Sequence, residues 1–527
     1  MTDLLPDLLL RSADTTAAHP ALVDRGTSVA YERVAALVDG FANGLLSLDV
    51  HRGDRIAVLM PKRTEKVVAL LGAMRAGAVA VPMNALLKAP QVAHILRDCS
   101  VTVLVATAAR LPDLAAEEGV LKGLRAIILV DEAGPAPAFL PQVISWPDFV
   151  AAAPSRPHRV LDIDVAALFY TSGSTGKPKG VVVSHRNLVA GARSVAHYLG
   201  NTPDDRVLAL LSFSFDYGFS QLTTAFSVGA TAVLLDYRLP QEVVKVIERE
   251  HITGLAGVPP VWIQLAGQDW SHCASGALRY ITNSGGKMPA ATLARLRTCL
   301  PQTRVFLMYG LTEAFRSTYL PPEEIDRRPE SIGKAIPNEE VLVLRPDGSR
   351  CLPGEPGELV HRGALVTLGY WNDPIRTAER FRPIPPALPG LPLPETAVWS
   401  GDIVRADADG FLYFEGRRDE MIKTSGYRVS PSEIEEEAYG TASVAEVVAL
   451  GIPHELLGQA IVLVASPAPG MAADTERLLE SLGRRIPRYM LPALVEWREV
   501  LPRTPNGKFD RALLRHQLFN RFADVHA

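Results

Sequence analysis

Four cysteines in 527 residues, at positions 99, 273, 299 and 351, are too few and too scattered for a disulfide scaffold, and no two have the spacing of a metal-binding pair. An excess of one charge is also missing. The 54 Lys and Arg against 58 Asp and Glu leave a net charge of −4, which offers no electrostatic footprint for nucleic acid or an anionic membrane. Long apolar runs are absent too: the richest stretch, VVALLGAMRAGAVAVP (67–82), is broken by Arg75 and two glycines, so no membrane span is expected. The amino terminus, MTDLLPDLLLRSADTT, has acids but no basic segment, unlike a secretory signal. These absences point to a protein of the reducing cytoplasm. What remains is ordinary globular composition, 47% hydrophobic and 21% charged, in a chain long enough for roughly three or four domain-sized units.

The dominant pattern is strand alternating with helix. RIAVLM (55–60) has strand length; Thr64 can cap a helix whose Val67, Val68, Leu71 and Met74 recur at helical spacing; Gly77 ends it and Ala78–Val81 is the next strand. That βαβ unit favours a parallel sheet with helices on its faces. Further short apolar strands are expected at 101–106, 126–130, 206–211 and 231–235. After about residue 340 the pattern changes to strands at 341–344, 357–362 and 410–414 separated by turns such as PDG and DADG, which predicts a small β-rich, barrel-like subdomain to about 415. Between them RPIPPALPGLPLPE (382–395), with six prolines, is expected to be a surface loop. A last α/β segment of roughly 110 residues follows, enough for a small domain. It has helices at 432–439 and 475–485 and strands at 446–450 and 461–465. The expected fold class is therefore α/β, a large domain of residues 1–418 made of doubly wound subdomains, with a small α+β domain over 419–527.

The most telling stretch is FYTSGSTGKPKGVVVSHRNL (169–188). It is rich in Gly, hydroxyl residues and Lys, as a phosphate-binding loop is, yet Lys177 is followed by Pro178, which breaks the pattern of kinase and ATPase P-loops. An apolar strand, 165–170, leads in, and a second, 181–183, leads out to Ser184, a helix cap. The loop is then a hairpin tip that wraps phosphates from outside, with Gly173 and Gly176 letting amides approach an anion, Thr171, Ser172, Ser174 and Thr175 offering hydroxyls, and Lys177 and Lys179 supplying charge. Such a loop suits a leaving pyrophosphate. No Ser/His/Asp triad suggests covalent catalysis.

The loop YTSGSTGKPKG closely resembles the signature of the AMP-forming adenylating superfamily, which holds acyl-CoA synthetases, adenylation domains of peptide synthetases and luciferases. MYGLTEA (308–314), SGDIV (400–404), GRRDEMIKTSGYRVSPSEIE (416–435) and PRTPNGKFDR (502–511) follow in that family's order, so the resemblance spans essentially the whole chain. GLTEAFRSTYLPPEE also looks like a bacterial subgroup of AMP-forming acyl-CoA ligases found with exosortase systems. The resemblance implies an ATP- and Mg²⁺-dependent ligase. A carboxylate attacks the α-phosphorus of ATP, pyrophosphate leaves, and a pantetheine thiol of CoA or of a separate carrier protein then takes the acyl group. An inactive nucleotide-binding module and a luciferase-like oxygenase are the remote alternatives. The implied oligomeric state is monomer or homodimer.

Carried over residue by residue, Glu313 with Thr175 holds Mg²⁺ and Thr312 bonds the α-phosphate. Tyr309 stacks on adenine, which Gly285 and Gly286 let the backbone approach. Asp402 and Arg417 hold the ribose. Lys508 bridges the carboxylate and the α-phosphate. Asp419 is the hinge of a mobile lid. Its rotation brings in the loop of Lys423, Ser425, Gly426 and Tyr427 for the thiol step, with Gly426 and Tyr427 lining the thiol tunnel. The acid pocket is implied at Asp216, Tyr217, Ser220, Gly257, Asn283, Met308, Arg316 and Ser317. Phe215-Asp216 resembles the Phe-Asp of amino-acid adenylation domains, where the Asp pairs with the α-ammonium. Asp216 needs a partner if buried. An ammonium would serve, and so would Arg316. An amino acid, another zwitterion or a diacid fits two such charges; a fatty acid tail does not.

Overall fold

The computed structural model describes the chain apart from residues 1–2, 118, 132–140, 172–177, 272–276, 385–393, 418–420, 469, 504–508 and 526–527. The expected βαβ unit is present: strand Arg55–Leu59, helix Thr64–Arg75 and strand Val79–Pro82, the strands parallel with Arg55 opposite Val79. Thr64 is the first helical residue and not the cap. Its amide donates to Asp24 Oδ2 at 2.8 Å, so a carboxylate from the neighbouring sheet meets the helix end. Gly77, at φ +84°, takes the left-handed turn that stops the helix.

This unit belongs to a seven-stranded sheet in the order Gln142–Ser145, Ala126–Leu129, Val101–Ala106, Arg55–Leu59, Val79–Pro82, Val165–Thr171, Lys179–Ser184. The last two strands are antiparallel, with Thr171 opposite Lys179. The strands on either side of the phosphate loop thus pair antiparallel at the sheet edge, while the loop's residues 172–177 lie outside the described residues. Ser184 Oγ accepts from the Asn187 amide and caps the helix His185–Leu199.

The second sheet has fourteen strands. Its parallel part places Arg206–Ala209 between Thr231–Leu234 and Gly254–Gly257, followed by Tyr280–Asn283 and Arg304–Tyr309. Thr318–Leu320 and Ser331–Ala335 then continue it antiparallel into Leu412–Arg417, Glu395–Ala406, Gly357–Gly363 and Glu339–Leu344. The β-rich subdomain is thus hydrogen-bonded into this sheet and not set apart from it. Part of the proline-rich stretch is also strand: Phe381–Ile384 pairs with Glu395–Ala406. As an edge strand it tolerates Pro383, which has no amide to donate. One apolar core, including Phe41, Phe169, Phe219 and Phe315, draws on both sheets and the helices that pack on them.

The C-terminal part has a five-stranded sheet of Ile422–Thr424, Tyr427–Val429, Val444–His454, Gly458–Pro467 and Leu494–Trp497, with helices Pro431–Tyr439, Thr475–Arg485 and Arg511–Val525. Its two apolar clusters contain no residue before Ile422. It is seated on the larger part, where Gln91 Nε2 donates to the Arg485 carbonyl at 2.7 Å. Among the described residues no helix is long and apolar enough to cross a membrane.

Candidate active site

Parallel strands of an open sheet end on one side, and ligands bind beyond their carboxyl ends. Here those ends deliver Asp216 and Tyr217 after Arg206–Ala209, Val258 after Gly254–Gly257, Gly285 after Tyr280–Asn283, and Thr312 and Glu313 after Arg304–Tyr309, all lining one cleft of about 190 Å³. Thr171 enters from the first sheet, and Lys423, Gly426, Tyr427 and Arg428 from the C-terminal part. A second cleft of about 640 Å³ contains Asn283, Gly286, Met308 and Tyr309, and meets the first at Gly285, Gly310 and Lys423.

Glu313 is the electrostatic centre. It is 4% exposed. Its Oε1 accepts from the Tyr370 hydroxyl at 2.6 Å and lies 3.4 Å from Lys179 Nζ. Burial alone would raise its pKa. The charges of Lys179 and Arg428 and the Tyr370 hydrogen bond outweigh burial and hold the carboxyl far below the usual range. Burial lowers Lys179 to about 8 against the pull of Glu313. The Lys179 ammonium also sits 3.8 Å from the centre of the Tyr370 ring. Among the described residues no three His, Cys, Asp or Glu side chains cluster as a metal cage. A single fixed carboxylate beside phosphate oxygens is the donor set that suits Mg²⁺, so Glu313 fits that ion.

Asp402 accepts a hydrogen bond from the Tyr309 hydroxyl and donates its own amide to Ser400 Oγ at 3.1 Å. The Tyr309 ring, expected against adenine, lines the larger cleft and lies near parallel to His361 at 6.2 Å. Arg417 lies opposite Asp402 in the strand register.

At the acid end, Thr312 Oγ1 donates to Asp216 Oδ1 at 3.1 Å. Burial pushes the Asp216 carboxyl up to about 6, opposed by Arg316 and by that hydrogen bond. The Tyr217 hydroxyl is held by the Thr282 carbonyl at 2.9 Å and the Gly257 carbonyl at 3.3 Å. Gly257 has no room for a side chain, since a Cβ would stand 2.7 Å from the Trp262 indole. Arg316 is buried, with its guanidinium over the Tyr217 ring at 4.1 Å. No ion pair joins it to Asp216 or to any other carboxylate among the described residues, so the simple Asp216–Arg316 pair does not form. Asn283 faces the other cleft and donates to the Gly286 carbonyl at 2.9 Å. Met308 also lines that cleft, and its sulfur accepts from Tyr198 at 3.0 Å. Ser220, Gly257, Arg316 and Ser317 are buried and line neither cleft; Ser220 faces Thr224 at 3.4 Å. The sequence-based pocket is thus split, with Asp216 and Tyr217 at the first cleft and Asn283 and Met308 at the second. Side chains at neighbouring positions of a strand point to opposite faces, which separates Asn283 from Thr282 and its partner Tyr217.

The segment expected on the thiol side is a tight turn. Ser425 at φ +51° and Gly426 at φ +80° join the strands Ile422–Thr424 and Tyr427–Val429. A Cβ on Gly426 would stand 2.6 Å from Val258, so glycine alone lets the turn enter the cleft. Tyr427 stacks on Tyr489 at 3.8 Å. Ser172, Gly173, Ser174, Thr175, Gly176, Asp419 and Lys508 lie outside the described residues. Tyr370, Arg428 and Tyr489 escaped sequence reasoning. Arg428 sits inside the quoted motif 416–435 and its charge was the available signal; Tyr370 and Tyr489 carry none.

The pattern of the AMP-binding enzyme family matches residues 9–371, and that of the AMP-binding enzyme C-terminal domain matches 433–508. The chain belongs to the AMP-binding enzyme family. It is an adenylate-forming ligase, which activates a carboxylic acid with ATP and passes it to a thiol of CoA or a carrier protein. The ligase is 32% identical to a feruloyl-CoA synthase of Amycolatopsis sp over 93% of its own length and 94% of that protein. It is 30% identical to an L-proline–[L-prolyl-carrier protein] ligase of Pseudomonas fluorescens over 98% and 99%. It also resembles o-succinylbenzoate CoA synthetase of Bacillus subtilis at 25% identity over 98% of both chains. The TM-score is 0.82 against a double mutant of that enzyme bound with the product analogue OSB-NCoA, and 0.68 against the enzyme with the acyl-adenylate OSB-AMP. Identity and coverage are the same in the two comparisons.

Proposed function

We propose that this ligase adenylates a small acid bearing an ammonium group, and that the arrangement described here belongs to its second half-reaction. The observation that carries the first point is the Thr312–Asp216 hydrogen bond. It sets the Asp216 carboxylate beside the hydroxyl expected to hold the α-phosphate, which supports a role for that carboxylate in receiving an ammonium next to the reacting carboxylate. Tyr217, pinned through its hydroxyl, and the tight Gly257–Trp262 contact narrow that end of the cleft, which supports a small acid. The second point rests on the turn at Gly426, docked against Val258 in the cleft, and on the closer likeness to the product-analogue form.

In the adenylating step the carboxylate attacks the α-phosphorus and pyrophosphate leaves. Mg²⁺, when bound, offsets charge on the phosphates. Glu313 would hold it, with Thr175 from the loop and Lys179 flanking. Asp402 and Arg417 would hold the ribose, and Lys508 the charge between carboxylate and phosphate. In the thiol step the turn 423–427 closes the cleft, and Tyr427 on Tyr489 forms a wall along which pantetheine passes. No residue needs to act as a nucleophile.

Pyrophosphate release with ATP, Mg²⁺ and a panel of amino, aryl, dicarboxylic and fatty acids, with and without CoA, tests this. Release that requires an amino group supports the reading. Release with acids lacking one, accompanied by acyl-CoA, sinks the ammonium role of Asp216 and leaves the ligase chemistry standing.

A further inference from the structure

Behind Tyr309 lies a buried polar pair with no part in the site described above. Glu339 and His361 come from the antiparallel strands Glu339–Leu344 and Gly357–Gly363, where Glu339 stands opposite Gly363 and His361 opposite Val341. Their side chains are diagonal on one face of the pair, and Gly363, having none, leaves that diagonal open. His361 Nδ1 and Glu339 Oε1 are 3.2 Å apart, and both side chains are wholly buried. The remaining polar atoms, His361 Nε2 and Glu339 Oε2, have no hydrogen-bond partner among the described residues. Burial raises the Glu339 carboxyl well above its usual range and lowers His361 to about 3, so both are neutral and the carboxyl donates to Nδ1. Tyr309 belongs to an apolar cluster with Leu359, Val404 and Leu412, against which Val341 packs. Two apolar side chains in place of the pair would leave no polar atom unmet, often without loss of stability. What the pair adds is a flat ring held in one plane. That imidazole lies near parallel to the Tyr309 ring, 6.2 Å away with 13° between the planes. Tyr309 lines the larger cleft and His361 does not, so the imidazole stands behind the tyrosine, whose hydroxyl is spent on Asp402.

We propose that Glu339 and His361 are positioning residues for the nucleotide. The carboxyl sets the plane of the imidazole, and the imidazole backs the ring of Tyr309. Tyr309 then holds one face to the base and its hydroxyl to Asp402. This rests on the reading that Tyr309 stacks on adenine and Asp402 holds the ribose. Neither Glu339 nor His361 touches substrate, and neither takes part in the chemistry. The gain is preorganisation: a tyrosine already held in its bound plane loses less freedom when ATP arrives, which shows as affinity.

The test is the Kd for ATP, measured by isothermal titration calorimetry on the full-length enzyme beside its thermal unfolding. The main variant combines Glu339→Leu with His361→Leu, so that no buried polar atom of the pair is left unmet. Its ATP affinity should fall by up to about tenfold, the scale of one aromatic contact, with the melting temperature kept or raised. Glu339→Gln, whose amide can still bond Nδ1, should retain most of the affinity. Unaltered ATP affinity in the double variant would overturn the proposal. Tyr309→Leu separates the proposal from the reading beneath it. That change should weaken ATP by itself, and adding the double change to it should cost nothing further, because the pair acts through that ring. Unchanged affinity in Tyr309→Leu would remove the stacking reading and the proposal with it. A loss there with none in the double variant would remove only the positioning role. Losses that simply add would mean a general effect on the fold and would overturn the proposal. Should the double variant fail to fold, Glu339→Leu, which keeps the imidazole but frees its plane, decides by the same measurement. Weaker binding than in Glu339→Gln supports the proposal, and equal binding in the two overturns it.

Discussion

The ammonium of Lys179 lies 3.4 Å from Oε1 of Glu313, and the Tyr370 hydroxyl reaches the same oxygen at 2.6 Å. The three residues come from the outgoing strand of the phosphate hairpin, the turn after Arg304–Tyr309, and the segment that bridges back to Val181. Their meeting fixes a carboxylate that stays ionised despite burial, which is the condition for holding a divalent cation at a pyrophosphate-forming centre.

Glu313→Gln preserves shape and removes that charge. Pyrophosphate exchange should fall by about 10²–10³, the usual cost of one preorganised electrostatic partner. The Mg²⁺ concentration for half-maximal rate should rise as well. Lys179 then loses its counter-charge, so its pKa, already about 8, should drop further. A rate loss with unchanged Mg²⁺ dependence would assign Glu313 to structure.

Asp216 gives a pH signature. Burial raises its pKa to about 6, so the carboxylate that an ammonium needs is present above that value and lost below it. KM for the amino acid should be flat from about pH 7 to 8 and rise up to about tenfold per unit as the pH falls below 6. Asp216→Asn should raise KM and abolish the acid limb. An unaltered acid limb in that variant would trace the titration to another group.

Gly426→Ala separates the half-reactions. A Cβ there would press on Val258, and φ +80° disfavours any other residue. Thioester formation should drop about tenfold or more through strain and clash in the docked turn, with pyrophosphate exchange kept. Rapid-quench assay of each step checks it; equal loss in both would deny the turn a role specific to the thiol step.

Lys508→Ala should show the opposite pattern. The resemblance of PRTPNGKFDR (502–511) assigns Lys508 to the adenylating step, so exchange should be lost while a supplied acyl-adenylate still yields thioester. Failure of both steps would contradict that division.

Much of the architecture was legible because it is local. Apolar runs of strand length marked the βαβ unit at 55–82 and the two paired strands that flank the phosphate loop. The strand bounds drifted by a few residues where hydrogen bonding, not hydropathy, sets the limit. An example is Val444–His454, which extends well past the expected 446–450. The proline-rich stretch misled because Pro excludes a central strand but not an edge strand such as Phe381–Ile384.

The sequence by itself determined the family and the reaction, and pointed to candidate residues of a nucleotide site, because recurring motifs carry those in short contiguous strings. It also supplied Asp216 and Arg316 as expected pocket charges, of which Asp216 lines a cleft and Arg316 does not. Only the tertiary structure decided that these two do not pair, that Tyr309 holds Asp402, that Tyr370 and Arg428 bear on Glu313, and that the turn at Gly426 occupies the cleft. Those are contacts between side chains far apart in the chain, often across two sheets or two domains. Their distances follow from how the elements pack, and neither periodicity nor spacing along the chain encodes that.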